Sequence, residues 1–129
     1  MMILLDTDVL IDCLRGTVPA RNWLSEHTAE SFVVPGIVAM ELLAGCRDQS
    51  DLRRTQSFLH NFSIVWPDAS EFARAYDLMA EYRLKSALSI PDYLIAAMTL
   101  SRLARLYTFN SKHFRSISEL DMQEPYARA

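Results

Sequence analysis

The chain has 129 residues, half of them hydrophobic and 22% charged, and its formal net charge is −3. This length fits a single domain over residues 1–129, and the balance of apolar and charged residues excludes an intrinsically disordered chain. The acidic net charge argues against non-specific nucleic-acid binding, although basic side chains can still cluster locally.

Two cysteines, Cys13 and Cys46, lie in apolar segments without the spacing of a metal or redox motif. This pattern predicts reduced thiols and a cytoplasmic protein. No basic region precedes the first apolar run, so a signal peptide is not expected, and no segment approaches the roughly 18 apolar residues of a membrane span.

Short apolar strands alternate with helices in the first half of the chain. The run MILL predicts a strand buried on both faces, after which Thr7 or Asp8 is expected to cap a helix that ends at Gly16. The segment PARNWLSEHT predicts a second short helix. SFVV predicts a second strand that ends at Pro35, and GIVAMELLAG a helix that stops at Gly45.

The second half continues this alternation. DQSDLRRTQSFLHNF predicts an amphipathic helix and SIVW a third strand. A long helix is predicted from DASEFARAYDLMAEYRLKSA, because its apolar residues share one face. The residues of that face are Phe72, Ala75, Tyr76, Met79 and Tyr82.

Another helix, SIPDYLIAAMTLSRLAR, is expected to start at Ser89 or Ile90 with Pro91 in its first turn. LYTF predicts a fourth strand, NSKHFRSI a short helix and SELDMQEPYARA a marginal last strand. The whole pattern predicts an α/β fold, a three-layer α/β/α sandwich with a central, mostly parallel sheet of four to five short strands.

Polar side chains stand where the predicted strands end. Asp6 follows the first strand, Asn110 follows the fourth, and Asp92 lies in the first turn of a helix. Glu41 lies inside an apolar helix, where a carboxylate is costly without a cation or hydrogen bonds. Sites in parallel sheets form beyond the carboxyl ends of the strands. Carboxylates gathered there can hold a hard cation such as magnesium or manganese.

Each of these residues also has an ordinary structural interpretation. Asp8 can cap a helix, and Asp12 is expected at a solvated helix position. Asp92 can be a first-turn acid stabilised by the helix dipole, Asn110 can be a turn residue, and Glu41 can lie on a narrow exposed face. Only the combination favours a functional site.

Four segments in order, LLDTDVLID, IVAMELLAG, PDYLIAAMTL and YTFNSKHF, resemble the successive motifs of the PIN-domain family, and specifically of its VapC-type ribonuclease toxins. The resemblance implies one PIN domain with a PIN-like α/β/α fold. It also implies that Asp6, Glu41 and Asp92 match the family acids and hold Mg²⁺, or Mn²⁺ in its place.

The resemblance extends to three further positions. Asp8 and Thr108 match supporting residues beside the site. Asn110 stands where many members have an aspartate, a departure that disfavours a second metal ion. The catalytic residues implied by the resemblance are Asp6, Glu41, Asp92 and Asn110.

The activity that the resemblance implies is that of a Mg²⁺-dependent endoribonuclease, the toxic component of a VapBC-type toxin–antitoxin system, which hydrolyses RNA with a metal-activated water. The implied partners are RNA, a cognate VapB-type antitoxin and a second copy of the chain in a homodimer. Neither a membrane nor DNA is expected to bind this chain alone.

Two other functions stay open from the sequence. A strand that ends in Asp-Thr-Asp is similar to haloacid-dehalogenase-type phosphatases, in which Asp6 would be the nucleophile, but Val9 and Leu10 replace the Gly-Thr of that motif. The chain can also be a PIN-like binding module without catalysis. Candidate phosphate contacts, for which a solvated helix face is the commoner role, are Arg53, Arg54, Arg83, Lys85, Arg102, Arg105, Lys112, His113 and Arg115.

Overall fold

A parallel sheet of five short strands forms the centre of the molecule in the computed structural model, which describes residues 1–128 and, of Glu30, the backbone alone. In chain order the strands are β1 (Ile3–Leu5), β2 (Phe32–Pro35), β3 (Ser63–Val65), β4 (Arg105–Tyr107) and β5 (Met122–Gln123). Their order across the sheet is β3-β2-β1-β4-β5, and every pairing is parallel. The predicted α/β fold is confirmed.

The helices connect successive strands. Within residues 1–128 they are α1 (Thr7–Arg15), α2 (Val18–Ser25), α3 (Gly36–Ala44), α4 (Gln49–Leu59), α5 (Ala69–Tyr82), α6 (Ile90–Ser101) and α7 (Ser111–Phe114), with a 3₁₀ turn at Ala29–Ser31. Each predicted helix is present, although α2 ends at Ser25, before the end of the predicted segment. None of the helices in this part of the chain is long and apolar enough to cross a membrane.

The ends of α1 show one correct and one wrong prediction. Gly16 ends the helix with φ 71°, in the left-handed region that glycine adopts most easily. The cap at the start is Asp6, whose carboxylate accepts a hydrogen bond from the backbone N–H of Thr7. The prediction that Thr7 or Asp8 caps the helix is therefore wrong, because the helix begins directly after β1 and already includes both residues.

Helix α6 and the central strands together contribute many residues of the buried core. Leu4, Leu5 and Leu106 on neighbouring strands are completely buried. On α6 every residue from 93 to 99 is buried, which agrees with its continuous apolar sequence. The central strands and this helix therefore fix the edge of the sheet at which β1 and β4 end.

The long helix α5 buries only part of the predicted apolar face. Ala75, Met79 and Tyr82 pack against the core, whereas Phe72 and Tyr76 are 55% and 75% exposed. Glu71 and Leu78 are also buried. The buried carboxylate of Glu71 forms an ion pair with Arg102 at the end of α6, with Nη2 and Oε1 2.9 Å apart. This pair turns Glu71 towards α6 and leaves part of the apolar stripe on the surface.

The chain order reverses around β1, because β2 lies on one side of it and β4 on the other. The backbone N–H of Asp6 extends this pairing by donating to the carbonyl of Tyr107, 3.0 Å away. In open parallel sheets, a reversal of this kind opens a crevice beyond the carboxyl ends of the strands. The residues that follow β1 and β4 lie at this crevice.

Candidate active site

Asp6 is held from two sides at the carboxyl end of β1. Its Oδ1 accepts a hydrogen bond of 2.7 Å from the backbone N–H of Thr7, and its Oδ2 accepts one of 2.7 Å from the hydroxyl of Thr108. The side chain is only 5% exposed. A carboxylate with both oxygens bonded in this way has a fixed orientation.

Glu41 reaches the same place from α3. The helix begins at Gly36 directly after β2, so Glu41 lies more than one turn along it. Its Oε1 accepts a hydrogen bond of 2.9 Å from the hydroxyl of Thr7. The sequence patterns did not single out Thr7 as a site residue, because its partner lies 34 positions away.

Asp92 has the structural role that its position in the first turn allows. Ser89 and Asp92 form a capping box at the start of α6, in which Asp92 Oδ2 accepts 2.9 Å hydrogen bonds from the backbone N–H and the hydroxyl of Ser89. These two bonds use one carboxylate oxygen and leave Oδ1 for a ligand.

The turn after β4 brings Thr108, Phe109 and Asn110 against α1. The backbone N–H of Asn110 donates to the Thr108 hydroxyl at 2.9 Å, and that of Phe109 donates to Asp8 Oδ2 at 3.1 Å. The other oxygen of Asp8, Oδ1, is buried without a hydrogen-bond partner. An unpartnered buried carboxylate oxygen is rare and indicates a site that is completed by a ligand.

One cavity of about 320 Å³ collects these side chains. Its lining residues are Asp6, Thr7, Asp8, Ile11, Glu41, Asp92, Phe109, Asn110 and Arg128. The predicted catalytic, metal-binding and supporting residues all line the cavity except Thr108, which holds Asp6 by a hydrogen bond. The predicted site residues thus lie together, although the chain supplies them from four separate segments.

Two acids of the cavity, Asp6 and Asp8, lie in surroundings that disfavour their ionised form and raise their pKa values. Burial, and then the negative charge of Asp8, raise the pKa of Asp6 to about 7, while the hydrogen bonds from Thr108 and Thr7 oppose the rise. Burial also raises the pKa of Asp8. A group of carboxylates that resist ionisation is stabilised by a bound cation.

Arg128 and Tyr126, in the segment that follows β5, were not predicted to belong to the site. Arg128 lines the cavity, and its guanidinium lies 3.8 Å from the centre of the Phe109 ring. Arg128 Nε also bonds Asp12 Oδ2 at 3.0 Å, and the hydroxyl of Tyr126 donates to the same oxygen. Asp12, only 14% exposed, is therefore not a solvated helix residue as predicted, because it anchors the segment that follows β5.

Some predicted phosphate contacts have other partners. Arg102 is bound to the buried Glu71, and Arg105 Nε bonds Asp121 at 3.1 Å. These ion pairs already engage part of each guanidinium, and contact of Arg102 and Arg105 with RNA stays a prediction. Arg54 lines a smaller cavity of about 250 Å³ that shares Glu41 with the acidic one.

Comparisons with known proteins agree with this fold. The family model of the PIN domain matches residues 3–120, a range that includes Asp6, Glu41, Asp92 and Asn110. The ribonucleases VapC10 and VapC19 of Mycobacterium tuberculosis are 33% and 35% identical to the chain, over 98% and 97% of its length and 94% and 100% of theirs.

Solved structures share the architecture. A toxin–antitoxin complex from Klebsiella pneumoniae contains a chain that is 28% identical, with a TM-score of 0.79 over 98% of this chain and 99% of that one. VapBC2 from Rickettsia felis, bound to a promoter DNA fragment, gives a TM-score of 0.83 at 23% identity, over 96% and 98%. This chain therefore belongs to the PIN-domain family, and within that family it is a ribonuclease of the VapC type.

Proposed function

We propose that this chain is a Mg²⁺-dependent endoribonuclease, the toxic component of a VapBC-type toxin–antitoxin pair, and that its acidic cavity is the active site. The observation that carries the proposal is the meeting of Asp6, Glu41 and Asp92 in one cavity at the carboxyl ends of the strands. Mn²⁺ is expected to replace Mg²⁺, because both prefer oxygen ligands.

The residues present fit a hard divalent cation. All the available ligand atoms are carboxylate, amide or hydroxyl oxygens, and Asp8 Oδ1 is an acceptor without a partner. Among residues 1–128, however, no three His, Cys, Asp or Glu side chains are arranged as ligands of one ion. Mg²⁺ usually keeps several waters and takes one or two carboxylates directly. We assign Asp6 and Asp92 as the direct ligands, with Glu41 beside them.

A bound cation supplies an acidified water and positive charge against the phosphodiester. The residues of the chain orient the carboxylates and bind the water and the RNA. Thr108 fixes Asp6 through Oδ2, and Thr7 fixes Glu41 through Oε1, so each carboxylate keeps one direction. Glu41 and Asn110 line the cavity and can accept hydrogen bonds from a water or from the RNA.

The experiment is cleavage of total RNA by the purified protein with Mg²⁺, with Mn²⁺ and with excess EDTA. We expect cleavage only with a divalent cation, and complete loss of activity in Asp6→Asn and Asp92→Asn while circular dichroism stays unchanged. Asp77→Asn, at an exposed position of α5, is the matched control and should cleave normally. Cleavage that persists in EDTA would contradict the cation mechanism.

The two other functions give different results in the same experiment. A phosphatase of the haloacid-dehalogenase type would form a phosphorylated Asp6, which mass spectrometry detects, and the match to the PIN-domain model argues against it. A binding module would cleave no cellular RNA under any condition and would bind a partner tightly.

We further propose a VapB-type antitoxin and a homodimer as partners. The complexes with similar chains support the antitoxin, which is expected to cover the acidic cavity and stop cleavage. An exposed apolar patch on α5 and the start of α6, which we call the α5 patch, supports the homodimer. In this patch, Phe72, Tyr76 and Ile90 are 55%, 75% and 69% exposed around an apolar cavity of about 200 Å³. Apolar side chains exposed side by side commonly mark a protein interface.

A further inference from the structure

A second cavity, of about 490 Å³, adjoins the acidic cavity and has no role in the mechanism described above. We call it the flanking cavity, and it is lined by Asp8, Ile11, Asp12, Arg15, Thr17 and Arg128, with Pro19. Its volume lies within the roughly 300–1,000 Å³ that is usual for small-molecule sites. Asp8, Ile11 and Arg128 line both cavities, so the two lie side by side.

Arg128 stands at the boundary between the two cavities and is held there by its neighbours. The guanidinium stacks on Phe109, and its Nε is fixed by Asp12. Tyr126 holds the same segment by its bond to Asp12 and by an edge-on contact with Phe109, at 5.1 Å between the ring centres. A side chain held in this way presents its remaining donors in a fixed direction.

These donors suit a phosphate. Arg128 is the only cation among the described residues that line the acidic cavity. A guanidinium has five N–H groups, and Arg128 uses Nε for Asp12 and Nη2 for the Asp8 carbonyl, which leaves Nη1 for a ligand. Arginine binds phosphate oxygens through such paired N–H groups.

Thr17 gives an independent indication of a ligand. It precedes α2 but makes no capping bond, and its hydroxyl is buried without any partner. Pro19 at the start of α2 lacks one of the N–H groups that a capping hydroxyl would use. Thr17 lines the flanking cavity, and a buried hydroxyl without a partner costs free energy until a ligand or water bonds it. Arg15, exposed on the same wall, supplies a second positive charge.

We propose that Arg128 binds an RNA phosphate beside the scissile one, and that the flanking cavity receives the neighbouring nucleotide, with Thr17 bonding its sugar or base. This inference rests on the proposed RNA cleavage, because it places the substrate relative to the acidic cavity. An RNA strand fits better than an acidic peptide, since the flanking cavity adjoins the proposed phosphodiester site and shares Arg128 with it.

The test measures binding of a short fluorescein-labelled RNA of random sequence by anisotropy, in Ca²⁺ and at several salt concentrations. Arg128→Ala should weaken binding about tenfold, the loss of one charged hydrogen bond. The slope of log affinity against log salt should become shallower by about 0.7, the value for one phosphate contact on a single strand. Arg128→Lys should keep the slope while binding more weakly than the unmodified protein.

Three further variants complete the test, two as controls for Arg128→Ala and one as a test of Thr17. Arg74→Ala removes the same charge at a position on α5 outside both cavities and should leave affinity and slope nearly unchanged. Tyr126→Phe removes the bond to Asp12 but keeps the charge of Arg128, so it should weaken binding less than Arg128→Ala and leave the slope unchanged. Thr17→Val should weaken RNA binding with no change in slope, and should raise the melting temperature because an unpartnered buried hydroxyl is lost.

The results separate this proposal from the proposed function. If the unmodified protein cleaves RNA and Asp6→Asn does not, but Arg128→Ala binds RNA like Arg74→Ala, only the assignment of Arg128 is wrong. It is also wrong if Arg128→Ala weakens Mn²⁺ binding, measured by electron paramagnetic resonance, or if Tyr126→Phe loses as much RNA affinity. If Arg128→Ala loses antitoxin binding but keeps RNA binding, the flanking cavity is a peptide site and the RNA proposal is wrong. An unmodified protein that neither binds nor cleaves RNA refutes both proposals.

Discussion

Replacement of Asp6 by asparagine is expected to abolish RNA cleavage and yet to stabilise the protein in the absence of a cation. Asp6 is 5% exposed and lies beside Asp8, and its pKa is raised from 3.8 to about 7. An asparagine has no charge to bury. It can still accept the N–H of Thr7 with its amide oxygen and donate its NH₂ group to the Thr108 hydroxyl.

The size of the gain follows from the pKa of Asp6. A rise from 3.8 to about 7 is about three units, which corresponds to roughly 4 kcal/mol of native-state stability lost when Asp6 ionises. The pKa of Asp6 is higher in the folded protein than in the unfolded chain. The free energy of unfolding is therefore highest below pH 3.8 and falls as the pH rises to about 7. Allowing for less favourable hydrogen bonds of the amide, we expect Asp6→Asn to gain about 2–4 kcal/mol at pH 8.

The assay is urea unfolding in EDTA near pH 4 and near pH 8, with Asp77→Asn as a control that should stay within about 0.5 kcal/mol of the unmodified protein. The advantage of Asp6→Asn should be small near pH 4 and large near pH 8. Added Mg²⁺ should then stabilise the unmodified protein much more than the variant, because the cation binds the folded cavity through the Asp6 carboxylate, which the variant lacks. An advantage that is equal at both pH values, or a loss at pH 8, would refute the reasoning.

Three further substitutions test separate parts of the structure. Thr108→Val removes a bond to Asp6 and should cost about 2–3 kcal/mol in urea unfolding, with a further rise in the pKa of Asp6 by NMR titration. Arg102→Ala leaves Glu71 buried without its cation and should cost about 3–5 kcal/mol, while RNA affinity stays unchanged. Tyr76→Asp should convert the proposed dimer to a monomer in size-exclusion chromatography with light scattering, and an unchanged mass would exclude the α5 patch as the interface.

The fold could be predicted from the sequence wherever one segment carries its own signal. Continuous apolar runs predicted β1 and β2, and Gly16 and Pro91 marked a helix end and a helix start. The orientation of α5 could not be predicted in this way. Periodicity finds an apolar stripe but does not say what covers it. The pairing of Glu71 with Arg102, 31 positions apart, decides which face turns inward.

The candidate site could be predicted in outline for a similar reason. Asp6 and Asn110 follow strands, and parallel strands bring their carboxyl ends to one edge, so strand order alone brings these residues close together. The contacts that orient the site join distant segments and leave no local pattern. Thr7 bonds Glu41 across 34 positions, and Asp12 bonds Arg128 across 116.

Two of the acids have a structural role and a proposed catalytic role at once. Asp6 caps α1, and Asp92 belongs to the capping box of α6, so the ordinary interpretation of these residues and the functional one do not compete. A helix start points its free N–H groups at the carboxylate that caps it, and thereby fixes that carboxylate at the edge of the sheet. Alanine at either position would remove the cap together with the proposed ligand. Asparagine keeps a hydrogen-bond acceptor for the helix while it removes the charge, and for that reason it separates the loss of catalysis from the loss of structure.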